Sequence, residues 1–144
     1  MLHDNAIITS LLRGNKMKNT IKVLLFTSHV GVTLNNEMKK IIQGKDFVEG
    51  RIAVVEYVES HAEKVNASST YDIIEKTRDP EKIYFVKDTY FIYNNNVKCL
   101  SCMKIVDVDI SRPWCIKEYD GAEYIQYLDY TIVNKELNYG KENS

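Results

Sequence analysis

The sequence predicts an α+β fold in which about three helices pack on one face of a mostly antiparallel sheet. Three observations lead to this prediction: a buried-type strand comes first, residues with helical periodicity follow, and apolar residues then recur with a period of two. This order is typical of domains whose helices and strands are segregated along the chain. With 144 residues, 44% of them hydrophobic, the chain has the size of one globular domain.

The first strand and helix lie in the first third of the chain. Residues 21–27 (IKVLLFT) form a continuous run of β-prone residues, as expected for a strand buried on both faces. After the loop SHVGVT, apolar residues recur at helical spacing from Leu34 to Ile42, and Gly44 is a natural stop signal. The sequence therefore predicts a strand, a short loop and a helix in that order.

Two further helices are predicted before the series of strands. The second covers about residues 49–65, because five apolar residues share one helical stripe: Ile52, Val55, Val58, Ala62 and Val65. The third is the short segment STYDIIEKT, which Ser68 or Ser69 caps, with Asp72 placed three residues after Ser69. Pro80 limits how far this helix can extend.

Strands dominate the chain from Lys82 onwards. The segments IYFV, TYFIY and VKCLSCMKIVDVDI have a period of two, and residues 94–96, three asparagines, suit a hairpin turn. A second hairpin is predicted from WCIKEY, the turn Asp120-Gly121 and the returning segment AEYIQYLDYTIV. The residues Tyr124, Tyr127, Leu128 and Tyr130 also fit a helical face. We prefer strands because residues 131–133 (TIV) are β-prone.

The predicted domain organisation is a single α+β domain over residues 17–137. Residues 1–16 are interpreted as an extension outside the fold, because Met17 begins MKNTIKVLLF, which resembles a natural protein start. The alternative is a short helix with residues 7, 8, 11 and 12 as its apolar face. Residues 138–144 are a polar tail that we expect to fray. An amino-acid composition rich in Lys and Asn is typical of proteins encoded by AT-rich bacterial or phage genomes.

Composition favours a cytoplasmic protein. Three cysteines are an odd number for a disulfide scaffold, and the chain does not open with the basic start and apolar core of an export signal. No apolar run approaches the roughly eighteen residues of a membrane span, so no membrane partner is expected. The net charge of −1 gives no drive towards nucleic acid, which is therefore an unexpected partner.

A candidate ligand site follows the first strand. Open sheets often bind ligands beyond strand ends, and the backbone N–H groups that begin the next helix attract anions. The candidate ligand-binding residues are Ser28, His29, Gly31, Thr33 and Lys39. They suggest a small anionic, nucleotide-like ligand, although a single glycine is far from a phosphate-binding loop.

A candidate metal site lies at the end of the long strand. In extended backbone Asp107 and Asp109 lie about 7 Å apart on one face, where two carboxylates can hold Mg²⁺ or Mn²⁺ with a third oxygen ligand. The simpler interpretation is a polar strand end, with Asp109 or Ser111 beginning the turn before Pro113. Short patterns of this kind often occur by chance, so we favour the strand end.

The pair Cys99 and Cys102 has the spacing of half a zinc site or of a redox motif. A period of two places the two sulfurs on opposite faces, so both are interpreted as small apolar side chains, and no cofactor is expected.

The second hairpin contains residue types that are enriched at binding hot spots. The candidate partner-binding residues are Arg112, Trp114, Tyr119, Tyr124 and Tyr127.

These features lead to one functional hypothesis and one alternative. The hypothesis is a small non-enzymatic binding or regulatory module that acts on another protein, or on itself, through a C-terminal hairpin rich in Tyr, Trp and acidic residues. Residues 106–136 carry seven Asp/Glu against three Lys/Arg, an asymmetry of charge that can steer a partner. The alternative is a small enzyme or sensor that binds an anionic nucleotide-like ligand at the first strand–helix loop, with metal assistance from the paired aspartates.

Overall fold

The structure, a computed structural model, describes residues 19–129. The predicted extension at residues 1–16, the β-prone residues 131–133 and the polar tail lie outside the described residues. The described strands are β1 (Thr20–Phe26), β2 (Glu63–Lys64), β3 (Tyr84–Val86), β4 (Thr89–Asn94), β5 (Cys99–Asp109), β6 (Trp114–Tyr119) and β7 (Ala122–Tyr127). The described helices are α1 (Asn36–Ile42), α2 (Phe47–Ala53), α3 (Val55–His61) and α4 (Thr70–Lys76). The predicted α+β class is confirmed.

The main sheet has the strand order β1-β5-β4-β3-β2, and β6 and β7 form a separate two-stranded sheet. The pairs β3–β4 and β4–β5 are antiparallel, whereas β2 pairs with β3 in parallel. Thr27 N donates to the Cys102 carbonyl (2.9 Å) and Ile110 N donates to the Asn19 carbonyl (2.7 Å), which fits an antiparallel register of β1 with β5. The sheet is therefore mostly antiparallel, as predicted.

The core lies between one face of the main sheet and the helices α1 to α3. Its strand residues include Phe26, Ile92 and Met103, and its helix residues include Met38 and Val58, all of them at most 1% exposed. Residues 23–26 of β1 are all buried, so the predicted strand with two buried faces is confirmed. On the other face, Ile73 of α4 lines a shallow pocket with Val86 and Phe91.

The predicted helix over residues 49–65 is wrong at its end. The chain is helical over α2 and α3, and it becomes extended at Ala62, whose ψ is 130°. Glu63 N then donates to the Ile83 carbonyl (2.8 Å) and Val65 N to the Phe85 carbonyl (2.9 Å). Pairing with the distant strand β3 replaces the last helical turn, although the apolar spacing continues to Val65.

The beginning of α4 agrees with the predicted cap. Ser69 Oγ accepts from Asp72 N (3.1 Å), and the Asp72 carboxylate accepts from Ser68 N (3.0 Å). This backbone hydrogen bond, together with Lys76, holds the pKa of Asp72 below its ordinary value. The helix therefore begins as the sequence predicts, with the carboxylate bonded to the residue before the cap.

Three hairpin turns contain non-glycine residues with positive φ. The predicted Asp120-Gly121 turn is confirmed, because the φ angles are 53° and 87°, as a type I′ turn requires. In the β4–β5 turn the positive φ (51°) falls on Lys98 and not on an asparagine; Asn94 instead accepts from Asn96 N (3.0 Å). Lys87, between β3 and β4, has a φ of 55°.

The described chain forms two compact units. The large unit contains residues 22–106 and 118–124, and the small unit contains residues 19–21, 107–117 and 125–129. Between residues 19 and 129, no helix is long and apolar enough to cross a membrane. The predicted single domain over residues 17–137 stays a prediction.

Candidate functional site

The hairpin tip, residues 118–124, is anchored in the large unit by the carboxylate of Glu123. This carboxylate accepts from Arg51 Nη2 (2.8 Å) and from Phe26 N (2.8 Å), and it also accepts from Arg51 Nη1. The two side chains are only 9% and 8% exposed. The tip is therefore held by a buried, bidentate ion pair whose acceptor oxygens are hydrogen-bonded.

Arg51 is held from several sides. Its guanidinium lies 4.8 Å from the ring centre of Phe26 and 4.6 Å from that of Phe47, and Nη1 donates to the Leu24 carbonyl (3.4 Å). The two aromatic rings add cation–π attraction, which is stronger where water is excluded. The position of Glu123 is therefore fixed by a partner that is itself fixed.

The turn of the hairpin tip packs on the loop that follows β1. A ring nitrogen of His29 bonds to the Asp120 carbonyl, and the same nitrogen lies 3.7 Å from the Asp120 carboxylate. A Cβ at Gly121 would lie 2.9 Å from His29 Cα, closer than real Cβ atoms approach backbone. The glycine at this turn is thus required both by its positive φ and by the close approach of the loop.

The two tyrosines of the hairpin tip are exposed. Tyr119 is 78% exposed and Tyr124 is 46% exposed. Both were predicted from the sequence as partner-binding residues. Because Glu123 fixes the strand that carries Tyr124, the two aromatic rings are presented on a segment with a defined position.

The other three predicted partner-binding residues lie in the small unit. Arg112 bonds the Asp129 carboxylate through Nε and Nη2 (both 3.0 Å at their shortest) and lies 3.9 Å from the ring centre of Tyr127. The Tyr127 hydroxyl accepts from Asp109 N (2.9 Å), and Trp114 is half-buried. These three side chains therefore have internal partners or are partly buried, unlike the side chains of Tyr119 and Tyr124.

The predicted ligand-binding residues of the first loop make hydrogen bonds within the fold. Ser28 Oγ accepts from Cys102 N (3.1 Å), and Thr33 Oγ1 accepts from Ser101 Oγ (2.9 Å) and Asn94 Nδ2 (2.9 Å). The Gly31 carbonyl accepts from Ser101 Oγ (3.5 Å). These contacts attach the loop to β4 and β5 and use the hydroxyl groups that a ligand would need.

The beginning of α1 is also occupied by the protein's own oxygens. Asn35 Oδ1 accepts from Met38 N (2.9 Å), and the Glu81 carboxylate accepts from Asn36 N (3.2 Å). Lys39, on the same helix, is exposed. The carboxylate of Glu81 already has the position that we expected for an anion, and the ligand site itself stays a prediction.

The predicted metal ligands lie near the end of β5. Asp107 is exposed, and Asp109 Oδ1 accepts from Ser111 Oγ (2.6 Å) and Ser111 N (3.0 Å). These two hydrogen bonds lower the pKa of Asp109. Among residues 19–129, no group of three or more His, Cys, Asp or Glu residues could hold a metal ion. The bonds made by Asp109 are those of a residue that begins a turn, and metal binding stays a prediction.

Cys99 and Cys102 are both free thiols on β5. Three residues apart on a strand, they point to opposite faces. Burial raises the pKa of Cys102, and the neighbouring Cys99 raises it further, so its reactive thiolate form is disfavoured.

A pocket of about 280 Å³ lies beside Arg51 in the large unit. Its wall is mostly apolar and includes Leu24, Leu34 and Ile42. Its rim carries Lys45 and Asp46, whose charges are opposite and adjacent in the chain. This lining does not favour a ligand of either charge.

The sequence interpretation missed the pair Arg51 and Glu123. The signal was present in both segments: Arg51 is four residues before Val55 and seven before Val58, on the buried helical stripe, and Glu123 shares one face of β7 with Ile125. A charged residue in an apolar stripe indicates a buried partner of opposite sign.

The chain matches no protein-family model, and comparisons with curated proteins and with solved structures find no match.

Proposed function

We propose that the protein is a cytoplasmic, non-enzymatic binding module that recognises another protein through its hairpin tip. One observation carries this proposal: Tyr119 and Tyr124 are exposed on a segment that the buried carboxylate of Glu123 holds in place. Tyrosine offers a large ring and a hydroxyl with few rotatable bonds, so it loses little conformational entropy on binding.

The anchored tip is suited to binding because it is ordered before the partner arrives. Fixing an interface segment in the free protein removes part of the entropic cost of association. Glu118 and Asp120 flank Tyr119 and are exposed, so the tip combines aromatic surface with negative charge. We therefore propose a partner surface with an apolar patch and nearby Lys or Arg residues.

The experiment is a pull-down from the native cell with the variant Tyr119→Ala/Tyr124→Ala. Loss of a specific partner is expected, because rigid aromatic residues contribute most to such interfaces. Tyr71→Ala is the matched control, since Tyr71 is 73% exposed but lies on α4. If the double variant folds and still recovers the same partner in the same amount, the proposal is wrong.

The contacts favour this module over the alternative of an anionic nucleotide-like ligand. The hydroxyl groups of Ser28 and Thr33 accept hydrogen bonds from Cys102 N and from Asn94 and Ser101, respectively. The beginning of α1 faces Glu81, whose charge would repel an anion. A thermal-shift screen with nucleotides and divalent cations tests the alternative, since a ligand at a hundredfold over its Kd adds about 2.7 kcal/mol of stability.

A further inference from the structure

The pocket beside Arg51, called here the Arg51 pocket, has apolar side chains that remain exposed to solvent. Phe47 and Val32, which line it, are 55% and 53% exposed although both are large hydrophobic residues. Leu24 and Val54 also line it and are at most 1% exposed. Entry of an apolar group between these side chains is favourable, because it removes apolar surface from water on both sides.

The charged groups of the Arg51 pocket favour an uncharged occupant. Asp46 Oδ1 accepts from Glu49 N (2.8 Å) at the beginning of α2, and the Arg51 guanidinium bonds to Glu123. Lys45 is exposed on the rim, where water solvates its ammonium group. A charged group that entered the pocket would lose its hydration and meet charges of both signs, so burial would be costly.

The Arg51 pocket is preformed and has the size of one side chain. A Cβ at Gly50 would lie 3.1 Å from Ile42 Cγ2, so the glycine allows α1 and α2 to pack closely at the pocket wall. The Phe47 ring is held with its centre 4.6 Å from the Arg51 guanidinium. The volume of about 280 Å³ lies just below the roughly 300–1,000 Å³ of typical sites for small molecules and cofactors. One large apolar side chain fits this space.

The Arg51 pocket and the hairpin tip meet at one side chain. The guanidinium of Arg51 lines the pocket, and its Nη2 donates to Glu123 of the tip (2.8 Å). A stable protein interface covers about 800 Å² of each partner, which is more than one hairpin turn can provide. An interface centred on the tip therefore has to extend over neighbouring surface, and the mouth of the pocket is part of that surface.

We infer that the Arg51 pocket receives one large apolar side chain of the protein partner that contacts the hairpin tip. This inference rests on the proposed function and specifies the chemistry of the partner. The partner carries an apolar anchor residue beside the Lys or Arg residues that face Glu118 and Asp120. Anchor residues that fill well-packed pockets are among the strongest contributors to such interfaces.

The first test is an NMR titration of the purified protein with N-acetyltryptophanamide, an uncharged probe with one large apolar side chain. We expect saturable chemical-shift changes at the amides of Val32, Phe47 and Gly50. N-acetylglycinamide, which has the same backbone without the side chain, should cause none. Changes at other residues only, or equal changes with both probes, would overturn the inference.

Val32→Asp tests the same titration by placing a carboxylate at an exposed position of the pocket. It should weaken binding of N-acetyltryptophanamide at least about tenfold, because the probe would desolvate the new charge. Val97→Asp is the matched control, since Val97 is 55% exposed but lies in the β4–β5 turn, away from the residues that line the pocket. Equal weakening in both variants, or in neither, would contradict the inference.

The second test adds Val32→Asp to the pull-down with Tyr119→Ala/Tyr124→Ala. Both folded variants should lose the same partner, and Val97→Asp should retain it. If only the tyrosine variant loses the partner, the inference is wrong and the proposed function stands; if the tyrosine variant retains it, both are wrong. Self-association in sedimentation velocity, or a small molecule bound in native mass spectrometry, would identify a different occupant and overturn the inference if Val32→Asp abolished it.

Discussion

Two arginine–carboxylate pairs of similar geometry are found in the two units. Arg51 and Glu123 in the large unit make a bidentate contact, and so do Arg112 and Asp129 in the small unit. Each arginine also lies over an aromatic ring. The exposed fractions differ: 9% and 8% for the first pair against 36% and 44% for the second.

This difference means that solvent, and not hydrogen-bond geometry, determines what each pair contributes. When Asp129 is removed, water can solvate Arg112, so the loss is small. When Glu123 is removed, the guanidinium of Arg51 remains in a site that excludes water, and its desolvation is no longer offset. Two contacts that look alike therefore have unequal effects on the free energy of unfolding.

Glu123→Ala should have the largest effect. Leaving Arg51 buried without its carboxylate should lower the free energy of unfolding by about 3–5 kcal/mol. Urea denaturation followed by circular dichroism measures this change. The double variant Arg51→Met/Glu123→Leu should recover only part of the loss, because it removes the buried charge but leaves Phe26 N and the Leu24 carbonyl without these partners. A loss below about 1 kcal/mol in the single variant would show that water reaches Arg51.

Gly121→Ala should have the next largest effect, and Gly44→Ala is its matched control. Both glycines have positive φ, 87° and 78°, so both alanine variants bear a backbone strain of about 1–2 kcal/mol. At Gly121 the new Cβ also meets His29 Cα at 2.9 Å, whereas at Gly44 nothing lies within 4 Å. Urea denaturation should show an extra loss of about 1–3 kcal/mol at Gly121, and equal losses would mean that the tip does not pack on the loop.

Asp129→Ala should destabilise the protein only slightly, because the Arg112 pair is more than one-third exposed and water solvates both charges. The loss should decrease in high salt, since salt screens exposed charges. Denaturation at low and high ionic strength measures both effects. A loss as large as that of Glu123→Ala would contradict the comparison between the two pairs.

Ser111→Ala should have the smallest effect and a defined pH dependence. The Ser111 hydroxyl lowers the pKa of Asp109 below its ordinary value of 3.8, so its stabilisation is present above that pH and is lost as the pH falls through the lowered pKa. In Ser111→Ala the pKa of Asp109 should rise towards 3.8 but not reach it, since the backbone hydrogen bond remains. An NMR titration of the carboxyl carbon measures the shift, and an unchanged pKa would contradict the assigned cause.

Local features of the fold could be predicted from the sequence. The cap at Ser69, the turn at Asp120-Gly121 and the extended backbone of β5 each depend on residues close in the chain, and all three are confirmed. Residue type also indicated Tyr119 and Tyr124 as partner-binding candidates; both side chains are exposed, and partner binding itself stays a prediction. Propensity and periodicity are local properties, so they predict such features well.

Features that depend on distant residues could not be predicted. The helical spacing continues to Val65, but pairing of Glu63 with β3 decides where α3 ends. The partnership of Arg51 with Glu123 joins residues that are 72 positions apart. A single sequence shows that each charge lies in an apolar stripe, but only the packing of the chain shows which charges meet.

Lys87 and Lys98 have left-handed backbone conformations, and this affects how many substitutions the protein can tolerate. A lysine with a φ near 50–55° is strained by about 1–2 kcal/mol, which glycine would relieve at some cost in chain entropy. Neither β-turn therefore carries the residue that its backbone conformation favours, which is common in natural proteins. Glycine at these turns would add a margin of tolerance, so that the chain could accept costly substitutions elsewhere and acquire new binding properties without unfolding.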